Sequence, residues 1–368
     1  MTLFPELENV YSKEQFSAKQ AQQMAHLYSW GAVAFQVVRL MRKYGILQML
    51  HDSEAGLTAA QIQEKTGLSA YAVKCLMEAS LTMFVVTIDP KTDVFRLAKI
   101  GWFVLQDDLV ATNIEFNHDV NYEGWFLLDK ALEEGYPAGL KHFGDWPTIY
   151  EGLSSLPEQV QKSWFGFDHY YSDHSLEEAL QIILSHGAKH LLDVGGNTGK
   201  FARFVTERVA DAEVTICDLK QQLKMMREQT KGHVGENRIH EYGMNLLDEN
   251  DAFPTENHYD VIWMSQFLDC FGETEIVSIL KRAAKIMDES NRLYIMETLW
   301  DRQKFPPAAF CLTMTSLYFT AMANGNSKMY KTDDLSRLIY EAGLEIEAIH
   351  DDIGMGNHSI LICKKNCK

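Results

Sequence analysis

The stretch LLDVGGNTGKF, residues 191–201, decides the fold of the larger part of the chain. It combines a short apolar run, a glycine-rich turn and the start of a helix. Glycines let the backbone approach a ligand closely, and the amides at a helix N-terminus favour partial negative charge. The pattern predicts a buried strand that carries a small-molecule binding turn at its carboxyl end.

The spacing of the glycines excludes two common nucleotide sites. A dinucleotide fingerprint needs GxGxxG, and a P-loop needs GxxxxGK followed by Ser or Thr. This turn reads GxxxGK with Phe201 next. A second acid, Asp218, follows roughly twenty residues later at the end of another apolar run, where a carboxylate can accept hydrogen bonds from ribose hydroxyls. The pattern favours a nucleoside without phosphates; the alternative is a tight strand-helix turn with a coincidental acid.

Strand and helix segments alternate from about Ser175 onward. Short strands that are apolar on both faces argue for a parallel sheet covered by helices on both sides. The predicted class is therefore α/β, a Rossmann-like doubly wound sheet. The expected strands span residues 189–196, 213–219, 238–244, 259–267 and 292–299, with closing strands at 345–351 and 358–365.

The N-terminal part is predicted to be mainly helical. Residues 57–83 form two short amphipathic helices around a TGLS turn, where Gly67 allows the turn and Ser69 caps the second helix. Residues 85–98 predict a hairpin, so the segment has the order of a winged helix-turn-helix. The expected domains are a winged-helix domain at 1–110, a helical connector rich in aromatic residues at 111–175, and the Rossmann-like domain at 176–368.

Composition limits the partners. The chain has 368 residues, 46% of them hydrophobic, and a net charge of −17, which fits a globular protein and disfavours nucleic acid or anionic membranes. The second N-terminal helix carries one Lys, one Glu and no Arg, so a structural use is favoured over DNA reading. The N-terminus lacks a signal sequence and no apolar run reaches membrane-spanning length, which predicts a cytoplasmic protein. No cluster has metal-ligand spacing.

The stretch SQFLDCFGE, residues 265–273, sets the carboxylate of Asp269 among apolar side chains where the fourth strand ends. Burial there would raise its pKa above the ordinary value of ~4. Asp269 then serves as a weak base or as a hydrogen-bond and charge anchor. The alternative is that Asp269 caps the helix that begins near Gly272.

These segments resemble class I S-adenosylmethionine-dependent methyltransferases, specifically the two-domain small-molecule O-methyltransferases typified by plant caffeic acid and bacterial polyketide-tailoring enzymes. DVGGNTG (193–199) is similar to the family's DVGGGTG, and YDVIWMSQFLDCFGETE (259–275) to its D-A-V, four apolar residues and L-H-D-W-x-D-E. The winged helix is similar to the family's dimerisation domain. The resemblance implies S-adenosyl-L-methionine as cofactor, S-adenosyl-L-homocysteine as product, and a homodimer formed through the N-terminal domain.

The resemblance also implies the site residues. The glycines would line the methionine part of the cofactor, Asp218 would hold the ribose, and Ser265 would edge the site. The predicted cofactor-binding residues are Asp193, Gly195, Gly196, Gly199, Asp218, Met244, Asn245 and Ser265.

This chain departs from the family's sequence pattern at three places. Asn197 stands at the middle glycine of the turn, and Met244 and Asn245 replace the family's Gly-Asp-Met-Phe near the adenine. Asp269 falls on the position of the catalytic His, whereas Glu297 matches the acid that steadies this His. The predicted catalytic residues are Asp269 and Glu297.

The segment at 300–330 is similar in place to the family's substrate-covering helix. Its predicted substrate-binding residues are Trp300, Phe310, Met314 and Tyr318. The resemblance implies methylation of a small aromatic or polyketide-like acceptor, with oxygen favoured over nitrogen or carbon. Two alternatives stay open: a cofactor-binding protein without methyl transfer, and a winged-helix regulator that senses a ligand.

Overall fold

A computed structural model describes residues 3–172 and 174–366, and its apolar residues collect into separate cores. These cores belong to two units. The N-terminal unit consists of Glu14–Val120 and Glu158–Phe167; the C-terminal unit consists of Met1–Lys13, Asn121–Pro157 and Asp168–Lys368. The predicted connector at 111–175 is thus divided between the units. Within the described residues, no helix has both the length and the apolar character that a membrane crossing requires.

The N-terminal unit is helical apart from a small antiparallel sheet of order β1-β3-β2. Its core contains Met41, Ile62 and Met77. The first helix of the chain, α1 (Pro5–Tyr11), belongs to the C-terminal unit. The N-terminal unit holds α2 (Ala18–Ser29), α3 (Gly31–Lys43), α4 (Ile46–His51), β1 (Leu57–Thr58), α5 (Ala59–Thr66), α6 (Ala70–Thr82), β2 (Val86–Asp89), β3 (Val94–Leu97), α7 (Lys99–Gln106) and α8 (Asp108–Phe116).

The helix-turn-helix and hairpin expected from the sequence are both present. Gly67 ends α5 in the left-handed region, with φ of +69°, which glycine adopts without a Cβ penalty. The hydroxyl of Ser69 accepts the amide of Ala72 at 3.2 Å and so caps α6. On α6, Lys74 and Glu78 lie 3.8 Å apart and both are exposed, which leaves this helix without net positive charge.

The C-terminal unit contains the larger sheet and most of the helices. Its short segments are 3₁₀ turns at Gly124–Leu127, Ala138–His142, Leu153–Ser155, Glu236–Arg238, Leu268–Cys270 and Trp300–Arg302, and a π-helical turn at Phe319–Ala323; another π turn, Asn117–Asn121, begins in the N-terminal unit. The regular elements are α9 (Leu128–Glu134), α10 (Ile149–Gly152), α11 (Glu158–Ser172, which both units share), α12 (Leu176–Leu184), β4 (His190–Val194), α13 (Lys200–Arg208), β5 (Glu213–Asp218), α14 (Lys220–Thr230), β6 (Ile239–Gly243), β7 (Val261–Ser265), α15 (Glu273–Lys285), β8 (Arg292–Glu297), α16 (Pro306–Tyr318), α17 (Thr332–Glu341), β9 (Leu344–Ile353) and β10 (His358–Lys365).

The seven-stranded sheet has the order β6-β5-β4-β7-β8-β10-β9. Neighbours from β6 to β8 run parallel, whereas β10 is antiparallel to both β8 and β9. The strand order reverses between β4 and β7. In open α/β sheets, ligands bind outside the carboxyl ends of the strands at such a reversal. The topology therefore indicates a ligand site at the turns after β4 and β7.

Helices cover both faces of this sheet, as the sequence predicted. Alternate strand residues point to opposite faces: Leu191 and Trp263 pack under α12, α13 and α14. Leu192 and Met264 belong to the opposite core, which α15 and α17 cover. Trp263 is fully buried and stacks on Phe201 with ring centroids 4.9 Å apart.

Close backbone packing fixes the segment after α16. The buried Met322 lies in the π-helical turn, and a methyl group on Gly139 would lie 2.8 Å from its sulfur. Gly325, with φ of +90°, lies directly against the backbone of Tyr136. Residues 121–157 therefore pack closely against the segment that follows α16, through contacts that only glycine permits.

Arg282 of α15 organises the loop after β6. Its guanidinium is buried and donates hydrogen bonds to the carbonyls of Leu246, Asp248 and Asp251. Hydrogen bonds from a charged donor are stronger than neutral ones. This loop follows directly on Met244 and Asn245, so α15 contributes to the shape of the site's edge.

Candidate functional site

The glycine-rich turn links β4 to α13 and uses the left-handed region three times. Gly195 and Gly199 have φ of +74°, and Asn197 has φ of +50°. Asparagine tolerates this region better than most side chains, which fits the expectation that it can replace the middle glycine. The amide of Gly195 donates to the carbonyl of Cys217 at 2.9 Å, so the turn is tied to the neighbouring strand.

Each predicted glycine also lies against a neighbouring side chain. A Cβ on Gly195 would overlap the ring of Phe267. A Cβ on Gly196 would lie 2.6 Å from a carboxylate oxygen of Asp193, and one on Gly199 would lie 2.9 Å from Met226. Packing within the unit therefore requires glycine at all three positions, whatever the turn binds.

Asp218 is the last residue of β5, and its side chain binds the backbone of the glycine-rich turn. Its two carboxylate oxygens accept the amide hydrogens of Asn197 at 2.8 Å and of Leu219 at 2.7 Å. Burial raises the pKa of Asp218, and these two amides act in the opposite direction. A carboxylate offers about four lone-pair positions, so Asp218 retains the capacity to accept hydroxyl groups of a ligand.

Asp193 lies beneath the turn rather than beside it. Its side chain is buried, and Oδ2 has no hydrogen-bond partner among the described residues. Burial, and secondarily the charge of Asp218, raise the pKa of Asp193 to about 8. At neutral pH its carboxyl therefore carries a proton, which makes it a potential hydrogen-bond donor.

The other three predicted cofactor residues lie at the same edge of the sheet but differ in exposure. Met244 is buried in the core on one face, and its amide donates to the carbonyl of Asp218 at 3.1 Å. Asn245 is exposed, and its side chain accepts the amide of Leu247. Ser265 is half-buried at the end of β7.

Asp269 lies on the 3₁₀ turn Leu268–Cys270, and side chains of other elements form hydrogen bonds with the backbone of this segment. Glu297, at the end of β8, accepts the amides of Phe267 at 3.1 Å and Leu268 at 2.8 Å through one oxygen, Oε1. Asn324 donates to the carbonyl of Cys270 at 2.6 Å. The position of Asp269 is therefore determined by side chains from outside its own turn.

The alternative role of Asp269 as a helix cap is not what the structure has. The N-cap of α15 is Gly272, and its amide donates to the side chain of Glu275 at 2.7 Å. The Asp269 carboxylate instead accepts the thiol of Cys270 at 3.5 Å. Asp269 is therefore not the N-cap of α15.

Asp269 and Glu297 form a buried pair of carboxyl groups; they are 5% and 3% exposed. Burial raises the pKa of Asp269 to about 7, the direction expected from its apolar neighbours. Burial, and then the charge of Asp269, hold the pKa of Glu297 well above its usual range. Oε2 of Glu297 has no hydrogen-bond partner among the described residues. Burial therefore disfavours ionisation of both carboxyl groups, while the amides of Phe267 and Leu268 favour the ionised form of Glu297.

Sequence reasoning missed Tyr150 of α10, because nothing in its segment has a recognisable pattern. Its hydroxyl is buried next to Cys270, Tyr318 and Asp269, and burial followed by Cys270 raises its pKa well above the usual range. The ring of Trp146 packs against Gly144 and Gly152, which a Cβ on either glycine would prevent. Trp146 thus fixes the short helix that carries Tyr150.

The four predicted acceptor residues are not brought together. Tyr318 is buried and lies within electrostatic range of Tyr150. Phe310 and Met314 are 57% and 43% exposed on α16. Trp300 lines a separate open pocket of about 440 Å³ together with Ser316, Thr320 and Lys328, among others. Helical spacing alone did not distinguish these three environments.

Metal chemistry was not expected from the sequence. Among the described residues, no three His, Cys, Asp or Glu side chains are arranged to hold a metal ion.

Two family models match separate parts of the chain. A Dimerisation2-like domain matches residues 22–95, and a methyltransferase domain matches residues 192–293. The second match contains the glycine-rich turn, Asp218 and Asp269.

Curated relatives are distant but span much of the chain. The chain is 22% identical over 321 residues to demethylspheroidene O-methyltransferase of Rhodobacter capsulatus, covering 85% of this chain and 74% of the relative. It is 22% identical over 326 residues to the mitomycin biosynthesis 6-O-methyltransferase of Streptomyces lavendulae, covering 86% and 87%.

Solved structures share the fold. The mitomycin 7-O-methyltransferase MmcR has a TM-score of 0.69 at 18% identity, over 94% of this chain and 98% of that chain. The O-methyltransferase NcsB1, solved with S-adenosylmethionine and 2-hydroxy-5-methyl naphthoic acid, has a TM-score of 0.62 at 19% identity, over 91% and 96%.

Gly195 and Gly187 make a matched pair for testing the turn, because both have positive φ but a Cβ on Gly187 would meet nothing within 4 Å. We expect Gly187→Ala to lower the unfolding free energy by about 1 kcal/mol, the cost of the left-handed region. Gly195→Ala should cost roughly 1–3 kcal/mol more, because Phe267 must move. Urea denaturation followed by fluorescence measures both. Equal losses would show that Phe267 does not constrain the turn.

Proposed function

We propose that this chain, a methyltransferase with a Dimerisation2-like domain and a methyltransferase domain, transfers a methyl group from S-adenosylmethionine to an oxygen of a small aromatic or polyketide-like acceptor. The observation that carries the proposal is the buried pair Asp269 and Glu297 beside the glycine-rich turn at the carboxyl edge of the sheet. The relatives and the fold support this reaction class.

The residues at this edge fit the cofactor. Asp218 retains acceptor capacity for ribose hydroxyls. Three buried polar atoms without partners among the described residues lie in or beside the turns after β4 and β7: Oδ2 of Asp193, Oδ1 of Asn197 and Oε1 of Gln266. Buried polar groups normally have partners, so these atoms support a polar ligand. S-adenosylmethionine supplies a methyl group on a sulfonium, which is open to in-line displacement.

The role proposed for Asp269 is to take the acceptor's proton. As the acceptor oxygen takes the methyl group, the bond from that group to the sulfonium sulfur would break, S-adenosylhomocysteine would leave as a neutral thioether, and the acceptor's O–H proton would pass to the carboxylate of Asp269. The carboxyl pair then holds two protons instead of one, and the methylated acceptor leaves uncharged. A general base works best when its pKa lies near the operating pH; Asp269 at about 7 meets this condition at neutral pH better than an exposed Asp of ~4 does.

Positioning supplies the larger share of the rate. Holding the acceptor oxygen near the methyl group can contribute several kcal/mol without any base. Tyr150 offers an uncharged hydroxyl donor near Asp269, and Tyr318 adds an apolar ring face. An aspartate at the position of a histidine is therefore compatible with methyl transfer.

Glu297 is proposed as a positioning residue rather than a second base. Its Oε1 accepts two backbone amides that orient the Asp269 turn. In this proposal Glu297 keeps its proton, and Asp269 is the ionised member of the pair. This differs from an ionised glutamate that steadies a protonated histidine.

We also propose a homodimer formed through a winged-helix arrangement of the N-terminal unit. Tyr28, Trp30 and Val33, around the junction of α2 and α3, are 72%, 67% and 54% exposed. Contiguous exposed apolar side chains mark interaction surfaces, and the balanced charge of α6 argues for a protein partner over DNA. Sedimentation equilibrium at micromolar concentration should give twice the mass of 42.1 kDa; a monomer would remove this claim.

Cofactor binding is tested by calorimetric titration with S-adenosylmethionine, S-adenosylhomocysteine and, as a control, NAD. We expect micromolar binding of the first two alone. Asp218→Ala should weaken it at least about tenfold, because ribose hydroxyls lose a charged acceptor. Glu213→Gln, at the opposite end of β5, is the matched control and should bind normally. Absence of binding by the unmodified protein contradicts the proposal.

The carboxyl pair is tested by the pH dependence of methyl transfer to phenolic acceptors. Below pH 7 Asp269 holds a proton and cannot accept another, so kcat/KM should rise as pH increases through about 7. Asp269→Asn should lose roughly tenfold to hundredfold in kcat and also this pH dependence. Glu297→Gln should retain activity within about threefold, because an amide replaces a neutral acid with the same shape. If Glu297→Gln fails like Asp269→Asn, Glu297 acts in its ionised form.

A further inference from the structure

The titratable side chains around Asp269 are acids and neutral hydroxyl or thiol groups. Those that act electrostatically on Asp269, Glu297 and Cys270 include Asp168, Tyr150, Tyr330 and the members of this group themselves. Neither Asp269 nor Glu297 forms an ion pair with any Lys, Arg or His in the described part of the chain. The carboxyl group of Glu297 is stabilised by the backbone amides of Phe267 and Leu268, which donate hydrogen bonds to it.

A negative charge in this place is therefore buried and lacks a cation. Asp269 is 5% exposed, and its side-chain contact is the weakly polar thiol of Cys270 at 3.5 Å. Charges interact more strongly where water is excluded. A second anion that entered the same space would be repelled, whereas a neutral hydroxyl or a protonated amine would not.

Asp168 of α11 adds to this charge from the outer side. It lies within electrostatic range of Asp269, and its own side chain is 37% exposed. His169 lies 3.9 Å from Asp168, so the outer carboxylate has a neighbour that can become positive. The inference consequently depends on the buried pair and not on Asp168.

On the premise of the proposed function, we propose that the acceptor carries no carboxylate: the Asp269 and Glu297 pair selects an uncharged or amine-bearing aromatic acceptor and rejects aromatic acids. The hydroxyl of Tyr150, buried beside Asp269, is an uncharged donor suited to an acceptor's hydroxyl or carbonyl oxygen. Selection by charge thus adds to selection by shape.

The test compares three naphthalenes at pH 8, each titrated into the full chain with and without saturating S-adenosylhomocysteine. The probes are 2-naphthol, 3-hydroxy-2-naphthamide and 3-hydroxy-2-naphthoic acid; the amide and the acid have nearly the same size but differ in charge. We expect the amide to bind at least about tenfold more tightly than the acid. Asp269→Asn should reduce this ratio to within about threefold.

Asp351→Asn is the control, because this acid of β9 already pairs with Arg302, and its variant should keep the ratio of the unmodified chain. Retained circular dichroism shows that each variant is folded. Equal binding of amide and acid, no binding of any probe, or an unchanged ratio in Asp269→Asn would overturn the inference. Since equilibrium binding needs no methyl transfer, a parallel transfer assay with radiolabelled S-adenosylmethionine reports the failure of the proposed function separately.

Discussion

A carboxyl group buried at the end of a strand needs hydrogen-bond donors. Glu297, at the end of β8, accepts two backbone amides from the turn that follows the neighbouring strand β7. The amides of Phe267 and Leu268 converge on one oxygen of Glu297, which ties the carboxyl ends of β7 and β8 together. The same turn carries Asp269 and places Phe267 against Gly195. One side chain therefore sets the relation between the two turns from which the site is built.

Burial raises the pKa of two pairs of acids at this edge of the sheet. Beneath the glycine-rich turn, Asp193 has a pKa of about 8, while Asp218 is held by two amides. In the other pair, burial raises the pKa of Asp269 to about 7 and holds the pKa of Glu297 well above its usual range. Neighbouring buried carboxyl groups resist ionising together, so each pair can accept a proton or a hydrogen bond from a ligand.

Much of this architecture could be predicted from the sequence. The seven strands, the helix-turn-helix with its hairpin, and the raised pKa of Asp269 follow from local patterns, because apolar periodicity and turn residues act over a few positions. The antiparallel direction of β10 did not follow, since strand pairing is decided between distant segments. Tyr150 was missed for the same reason: its segment has no pattern, and only packing brings it beside Asp269.

The apolar residues on α16 and directly after it show what a local sequence pattern does not determine. Phe310, Met314, Phe319 and Met322 recur at helical spacing, yet the first two are exposed and the last two are buried. The last two lie in the π-helical turn after α16, which packs against Gly124 and Gly139. By itself the sequence determined the fold class, the reaction class and the identity of the acids at the strand ends, since these depend on residue type and order. Tertiary structure alone decided which acids are buried together and which side chains face them, because burial and electrostatic coupling depend on distances between segments that are remote in the chain.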